Sequence, residues 1–232
     1  MILAAGKGER MLPLTRELPK PLLTVKGKSL IEYHLEALAA AGFREVIINV
    51  SYLHNKIIDK LGSGEAYGIN IRYSVEDEPL ETAGAILHAR ELLGKEKFLL
   101  VNADVWTDFS FSTLRQLALP KQCLGYLVLV ANPLHNAGGD FGLSEGGVIE
   151  KPIDNQSAIS RTFSGVSIID PQLVFSYTDQ HNEASEGDGQ TLPLRDVFNW
   201  AISNNALCGE FYSGEWSDVG TPERLQQLNA KN

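Results

Sequence analysis

The chain is poor in sulfur, with two cysteines and two methionines in 232 residues. Cys123 and Cys208 are too few for a disulfide framework or a structural zinc site. The simplest expectation is that both are small buried apolar residues. No run approaches the ~18 apolar residues that a membrane span needs, so none is expected. The opening, MILAAGKGERM, lacks a basic segment followed by a long apolar one, which argues against a secretory signal and for a cytoplasmic location. Basic charge is also in short supply. With a net charge of −9, the chain lacks the basic face that phosphate-backbone binding demands, which excludes nucleic acid as a partner. Repeats, low-complexity tracts and clean linkers are missing too, so one domain, 1–232, is expected.

What is present is an ordinary globular balance, 44% hydrophobic and 21% charged residues. MILAA is short and apolar and runs into Gly6. Residues 30–41 place Leu30, Tyr33, His34, Ala37, Leu38 and Ala41 at helical spacing, with Gly42 as a stop. EVIINV (45–50), INIRYSV (69–75), FLLVNAD (98–104) and LGYLVLV (124–130) read as strands, and 53–61 and 82–93 as helices. Later strands are expected at 148–151, 162–169 and 206–212, helices at 193–203 and 221–230, and a polar surface loop at 178–190. This alternation predicts an α/β fold, a Rossmann-like three-layer sandwich with a mainly parallel mixed central sheet.

Charge is unevenly spread. Residues 1–28 hold Lys7, Arg10, Arg16, Lys20, Lys26 and Lys28 against Glu9 and Glu17, a net of +4 on an acidic chain. A Gly-rich turn after a first strand is a common phosphate cradle, because glycine lets backbone N–H groups approach oxygens. The same composition also suits a solvated loop. Two familiar cradles fail: Met11 stands where the dinucleotide fingerprint needs its third glycine, and no Gly-Lys-Ser/Thr closes a P-loop. Pro13, Pro19 and Pro21 delay any helix. Arg10 offers a bidentate fork to a polyphosphate, and Lys20, between two prolines, a point charge. Asp104 ends a strand, where ligands gather in open parallel sheets, although an Asp there also serves as a turn former.

Gly6-Lys7-Gly8-Glu9-Arg10-Met11-Leu12-Pro13-Leu14-Thr15, followed by Pro19-Lys20-Pro21-Leu22, resembles the signature of sugar-1-phosphate nucleotidyltransferases (NDP-sugar pyrophosphorylases). Leu80-Glu81-Thr82-Ala83-Gly84, Asn102-Ala103-Asp104 and Asp218-Val219-Gly220-Thr221 resemble further segments of that family, so the likeness covers nearly the whole chain. It implies Mg²⁺-dependent transfer of a nucleotidyl group from a nucleoside triphosphate to a sugar 1-phosphate, releasing pyrophosphate. Asp104 and Asp218 would hold Mg²⁺. Arg10 would hold the β,γ-phosphates and Lys20 would stabilise charge at the α-phosphoryl group, with no protein nucleophile. Ala5, Gly6, Gly8 and Glu9 would complete the phosphate loop. Glu76, Thr82, Gly84 and Asn102 would contact the nucleotide beyond it. A carboxylate at Glu76 suits the uracil N3–H, and Gly84 would let a base edge approach backbone, although Glu76 also reads as part of an exposed acidic loop. Glu81 departs from the family pattern, which has Gly there. Asp108 reads as a turn or cap residue, and His34 and His88 as structural.

On the sugar side, Asp140 of Gly139-Asp140-Phe141, Glu150 and Lys151 of Glu150-Lys151-Pro152, and Ser164-Gly165 resemble acceptor-binding segments. The nucleotide-binding half would span about 1–130 and the sugar-binding half about 131–232. Within the family the chain is similar to the bacterial branch that couples UTP with N-acetylmuramate 1-phosphate in cell-wall recycling. His135 and the glycines of 132–140 could receive the lactyl carboxylate. Mannose-1-phosphate guanylyltransferases are the enzyme alternative, and a nucleotide-sugar-binding regulatory module is the non-enzyme one. A GT-A glycosyltransferase would show a central Asp-x-Asp, where this chain has Asn102-Ala103-Asp104. Oligomeric state is not legible.

Overall fold

The structure, a computed structural model, describes residues 1–151, 158–181 and 190–230. It divides into two compact units, Met1–Pro79 with Val101–Gln116 and Glu215–Asn232, and Leu80–Leu100 with Leu117–Gly214.

In the first unit, parallel strands run in the order Val101–Asn102 (the end of Phe98–Asn102), Ile2–Leu3, Glu45–Val50 and Asn70–Val75. Val46, Ile47, Ile48 and Val50 are all buried, as a parallel strand covered on both faces requires. The helix Leu30–Ala40 starts on a capping box. The Ser29 N–H and hydroxyl donate to Glu32 Oε2 at 3.1 and 2.6 Å. Before it the chain makes three short 3₁₀ turns, Glu9–Met11, Leu14–Arg16 and Lys20–Leu22, and no α-helix, as the prolines demand. Met11 is fully buried with Leu23, Val25, Leu30, Val219, Leu225 and Leu228. Truncating such a side chain costs about 2–5 kcal/mol. Two positions of the sequence signature, Met11 and Val219, are therefore core residues that pin the opening loop to the closing segment.

In the second unit, Leu207–Phe211 pairs parallel with Gly125–Val130, which pairs antiparallel with Ile159–Ile169. Ile159–Ile169 also pairs with Phe141–Leu143, and that strand with Ile149–Glu150, both antiparallel. Helices Glu81–His88, Arg90–Leu93, Gln172–His181 and Leu194–Ser203 belong here. The fold is α/β and Rossmann-like, with parallel pairing dominant in the first unit and mixed pairing in the second.

Three local expectations need correction. The helix expected at 82–93 is two helices, because Ala89, at ψ 7°, closes one and opens the next. Residues 178–181, expected in a polar loop, continue the helix Gln172–His181, while 182–189 of that loop lie outside the described residues. Cys123 and Cys208 are joined in a disulfide with Cα atoms 6.1 Å apart, not separate thiols. The strand Leu207–Phe211 sets Cys208 beside Tyr126, just past the turn that carries Cys123.

Glu81 adopts φ +62°, in the left-handed region. The departure from the family's glycine is therefore a residue with a Cβ at a position whose backbone favours none. Glu81→Gly should leave the fold intact and raise unfolding stability by about 0.5–1 kcal/mol, read from urea denaturation. A loss of stability would show that the Glu81 side chain contributes more than its backbone strain costs.

Candidate active site

The opening loop is built around Gly8, whose φ of +66° and carbonyl acceptance from Thr15 Oγ1 (2.8 Å) fold it back on itself. A Cβ at Gly8 would meet Thr15 Cγ2 at 3.0 Å. Gly6, Glu9 and Arg10 are exposed and Ala5 is buried. Among the described residues Arg10 enters no ion pair, so its guanidinium is open to an anion. Lys20 is 9% exposed, and its ammonium donates to Asp104 Oδ2 at 2.5 Å. That pair joins the loop to the end of the strand Phe98–Asn102, where Asn102 lies beside Leu3.

The second acidic residue arrives by strand pairing. Trp216–Asp218 runs antiparallel to Val105–Thr107 with Asp218 opposite Val105, and the Val219 N–H donates to the Asp104 carbonyl at 2.8 Å. Asp104 and Asp218 are thereby neighbours although 114 residues apart in sequence. Asp218 is ion-paired with Arg224. Gly220 makes room for that pair, since a Cβ there would lie 2.4 Å from Arg224 Nη2. Sequence reasoning missed Arg224, whose only signal is a cation six residues after Asp218. Asp108 is exposed between Thr107 and the helix Phe111–Arg115, whose N-cap is Ser110, and its N–H donates to the Glu215 carbonyl at 3.2 Å, so it is neither in an assigned turn nor the cap.

Glu76 is 2% exposed, so it is not part of an exposed acidic loop. Its Oε1 accepts from Asn49 Nδ2 at 2.8 Å, and Asn49 Oδ1 accepts from the Ala4 N–H at 2.9 Å. Asn49 was not among the expected residues. Its signal was a lone polar side chain inside the apolar run EVIINV.

Thr82, Gly84, Asp140, Glu150, Lys151, Ser164 and Gly165 belong to the second unit. The Gly84 N–H donates to the Leu192 carbonyl, and a Cβ on Gly84 would lie 2.3 Å from the Gln190 carbonyl oxygen. The space beside Gly84 is thus filled by the chain's own backbone. Thr82 is half-buried. Asp140 accepts from the Phe163 N–H at 2.9 Å and from Asn136 Nδ2 at 3.2 Å, bracing the residues before the bulge. Ser164 and Gly165 form that bulge in Ile159–Ile169, between Phe163 and Val166. Glu150 is half-buried, Lys151 and His135 are exposed, and Pro152 lies outside the described residues.

Among the described residues no group of three or more His, Cys, Asp or Glu could hold a metal ion. A pair of carboxylates is nevertheless the donor set that suits Mg²⁺, which fills the rest of its shell with phosphate oxygens and water. Asp104 and Asp218, each already facing a cationic side chain, fit that role.

Cations on a glycine-turned loop and a carboxylate pair at strand ends define an α/β enzyme that handles phosphate. A model of the nucleotidyl transferase family matches residues 1–232, and the chain belongs to that family. It is 44% identical to the N-acetylmuramate alpha-1-phosphate uridylyltransferase of Neisseria meningitidis serogroup B, over 99% of this chain and 96% of that protein. It is 30% identical to the mannose-1-phosphate guanyltransferase of Schizosaccharomyces pombe, over 96% of this chain and 61% of the yeast protein. A solved Bacillus anthracis structure, provisionally named a glucose-1-phosphate thymidylyltransferase, matches with a TM-score of 0.81 at 23% identity, over 99% of this chain and 92% of that one. That last likeness speaks for the fold alone.

His34, expected to be structural, is buried and its Nε2 lies 2.9 Å from the Val105 carbonyl, next to Asp104. Burial lowers its pKa to about 4, against the pull of the Val105 carbonyl and the Asp104 charge. In the unfolded chain it titrates near 6.5. The unfolded state therefore binds more protons between pH 6.5 and 4. The stability this neutral ring contributes is complete above pH 6.5 and falls by about 3 kcal/mol as pH drops to 4. His34→Gln keeps a donor for Val105 and removes the titration, so its urea-unfolding stability should change less between pH 7 and 4.5. Equal pH slopes in the two proteins would contradict this reading.

Proposed function

We propose that the protein transfers a uridylyl group from UTP to N-acetylmuramate 1-phosphate, giving UDP-N-acetylmuramate and pyrophosphate. The observation that carries the transferase chemistry is the Lys20–Asp104 pair, set beside Asp218 by the pairing of Val105–Thr107 with Trp216–Asp218. The choice of substrates rests on the 44% identity to the Neisseria enzyme. Two anions must meet, and the leaving pyrophosphate must be neutralised, so positioning and electrostatic stabilisation suffice. Arg10 binds the β,γ-phosphates as an exposed bidentate fork. Lys20, held in place by its neighbours Pro19 and Pro21, stabilises charge growing at the α-phosphoryl group. Asp104 and Asp218 would hold Mg²⁺, which would supply charge neutralisation for the phosphates. Ala5, Gly6, Gly8 and Glu9 present the loop backbone to the phosphates. Glu76 accepts the uracil N3–H, and Asn102 and Thr82 lie on segments that serve the nucleotide.

For the acceptor, the reading assigns Glu150 to the sugar hydroxyls, Lys151 to the sugar phosphate, and Asp140 with Ser164-Gly165 to shaping the pocket. Cytoplasmic location and a place in cell-wall sugar recycling follow from the same reading. A guanylyltransferase acting on mannose 1-phosphate is the second reading. It draws on the 30% identity to the yeast enzyme and on guanine's N1–H, which a Glu76 carboxylate can also accept.

Pyrophosphate release should be measured with four nucleoside triphosphates against several sugar 1-phosphates. UTP with N-acetylmuramate 1-phosphate should give the highest kcat/KM, and a tenfold advantage for GTP with mannose 1-phosphate would overturn the uridylyl assignment. Asp104→Asn should fold normally and lose most turnover, and near-native turnover at low Mg²⁺ would remove the metal assignment. Arg10→Ala and Lys20→Ala should each lose on the order of 10²-fold or more. The first loss should fall on the KM for the triphosphate and the second on kcat. Changes under about threefold in both would reduce the loop to a solvated connection.

A further inference from the structure

A buried polar relay links the opening strand to the base-reading carboxylate. The Ala4 N–H is shared between the Asn49 backbone oxygen at 3.2 Å and Asn49 Oδ1 at 2.9 Å. The other end of the same amide, Nδ2, donates to Glu76 Oε1 at 2.8 Å. We propose that Asn49 is a positioning residue for base recognition, holding the Glu76 carboxyl group in the orientation that selects a pyrimidine with an N3–H.

The amide has one possible orientation. The Ala4 N–H can only donate, so Asn49 must turn its oxygen there and its NH₂ toward Glu76. Asn49 is 3% exposed within a strand whose other buried residues are all Val and Ile. A side-chain amide in such a strand is costly unless both ends are bonded, and here both are. Glu76 follows the strand Asn70–Val75, and its N–H donates to the Val50 carbonyl at 2.8 Å, so backbone and side chain are each tied to Glu45–Val50. Ala4 precedes Gly6 by two residues, so the relay also fixes the base reader relative to the root of the phosphate loop.

The consequence is discrimination. Uracil presents a donor at N3 and cytosine an acceptor, so a fixed acceptor rejects cytosine by leaving two acceptors opposed. A carboxyl group free to rotate away loses part of that penalty. The inference rests on the reading of Glu76 as the base contact, and the test separates the two.

Asn49→Asp keeps the acceptor for Ala4 and replaces the amide donor to Glu76 with a second carboxyl group that must share a proton with it. With the melting temperature checked, it should raise the KM for UTP roughly tenfold, leave kcat and the KM for the sugar 1-phosphate within about threefold, and lower the UTP-over-CTP ratio of kcat/KM about tenfold. If Asn49→Asp does not fold, Asn49→Ser serves, because the Ala4 N–H retains the Asn49 backbone carbonyl. Glu76→Gln is measured alongside. An unchanged UTP-over-CTP ratio in a folded Asn49 variant, with a changed ratio in Glu76→Gln, overturns the role of Asn49. An unchanged ratio in Glu76→Gln overturns the base reading itself and this inference with it.

Discussion

One ion pair organises the candidate active site, between the Lys20 ammonium and the Asp104 carboxylate. Each group is costly to bring near the interior alone, and each makes the other tolerable there. Through it, a loop with little regular structure acquires a fixed position against the end of a parallel strand. The loop's other anchors serve the same end. Met11 inserts into the core, Thr15 closes on Gly8, the Tyr52 hydroxyl donates to the Arg16 carbonyl at 2.9 Å, and Lys56 donates to the Glu17 carbonyl. Arg10 is left exposed on that loop, its planar guanidinium suited to meet a polyphosphate.

The same logic recurs at Asp218. Its partner is Arg224, reached because Gly220 leaves space for the guanidinium. Strand pairing then sets the two acidic residues side by side, and a cation stands against each. Such an arrangement keeps neighbouring carboxylates compatible, because each negative charge is balanced by the cation beside it. His34 belongs to this frame as well, since its ring braces the Val105 carbonyl, one residue beyond Asp104.

Much of this was legible in the residues. EVIINV and FLLVNAD announce buried parallel strands, and the first occupies 45–50 as expected while the second spans 98–102. The prolines at 13, 19 and 21 foretell a loop without α-helix, and the likeness of residues 6–22 to a nucleotidyltransferase signature foretells the family. Less legible was whatever depends on distant partners. Nothing local says that Asn49 bonds Glu76 and Ala4, that Arg224 turns back to Asp218, or that Cys123 meets Cys208. The short strand Val105–Thr107 carries too few residues for a periodicity to register, yet it aligns Asp218. Glu81 was seen only as a departure from a pattern, and its positive φ supplies the physical meaning. Gly84 shows the reverse case, where a glycine expected to admit a base is packed on backbone.

The chemical account is direct transfer between two bound anions, with no covalent protein intermediate. Exchange of labelled pyrophosphate into UTP tests this most directly. The account predicts that the intact protein with Mg²⁺ and UTP exchanges no label alone, and that exchange begins when the sugar 1-phosphate is added. Exchange without the sugar 1-phosphate would reveal a nucleotidyl–protein intermediate and contradict direct transfer, and no exchange with any sugar 1-phosphate and any nucleoside triphosphate would contradict catalysis altogether.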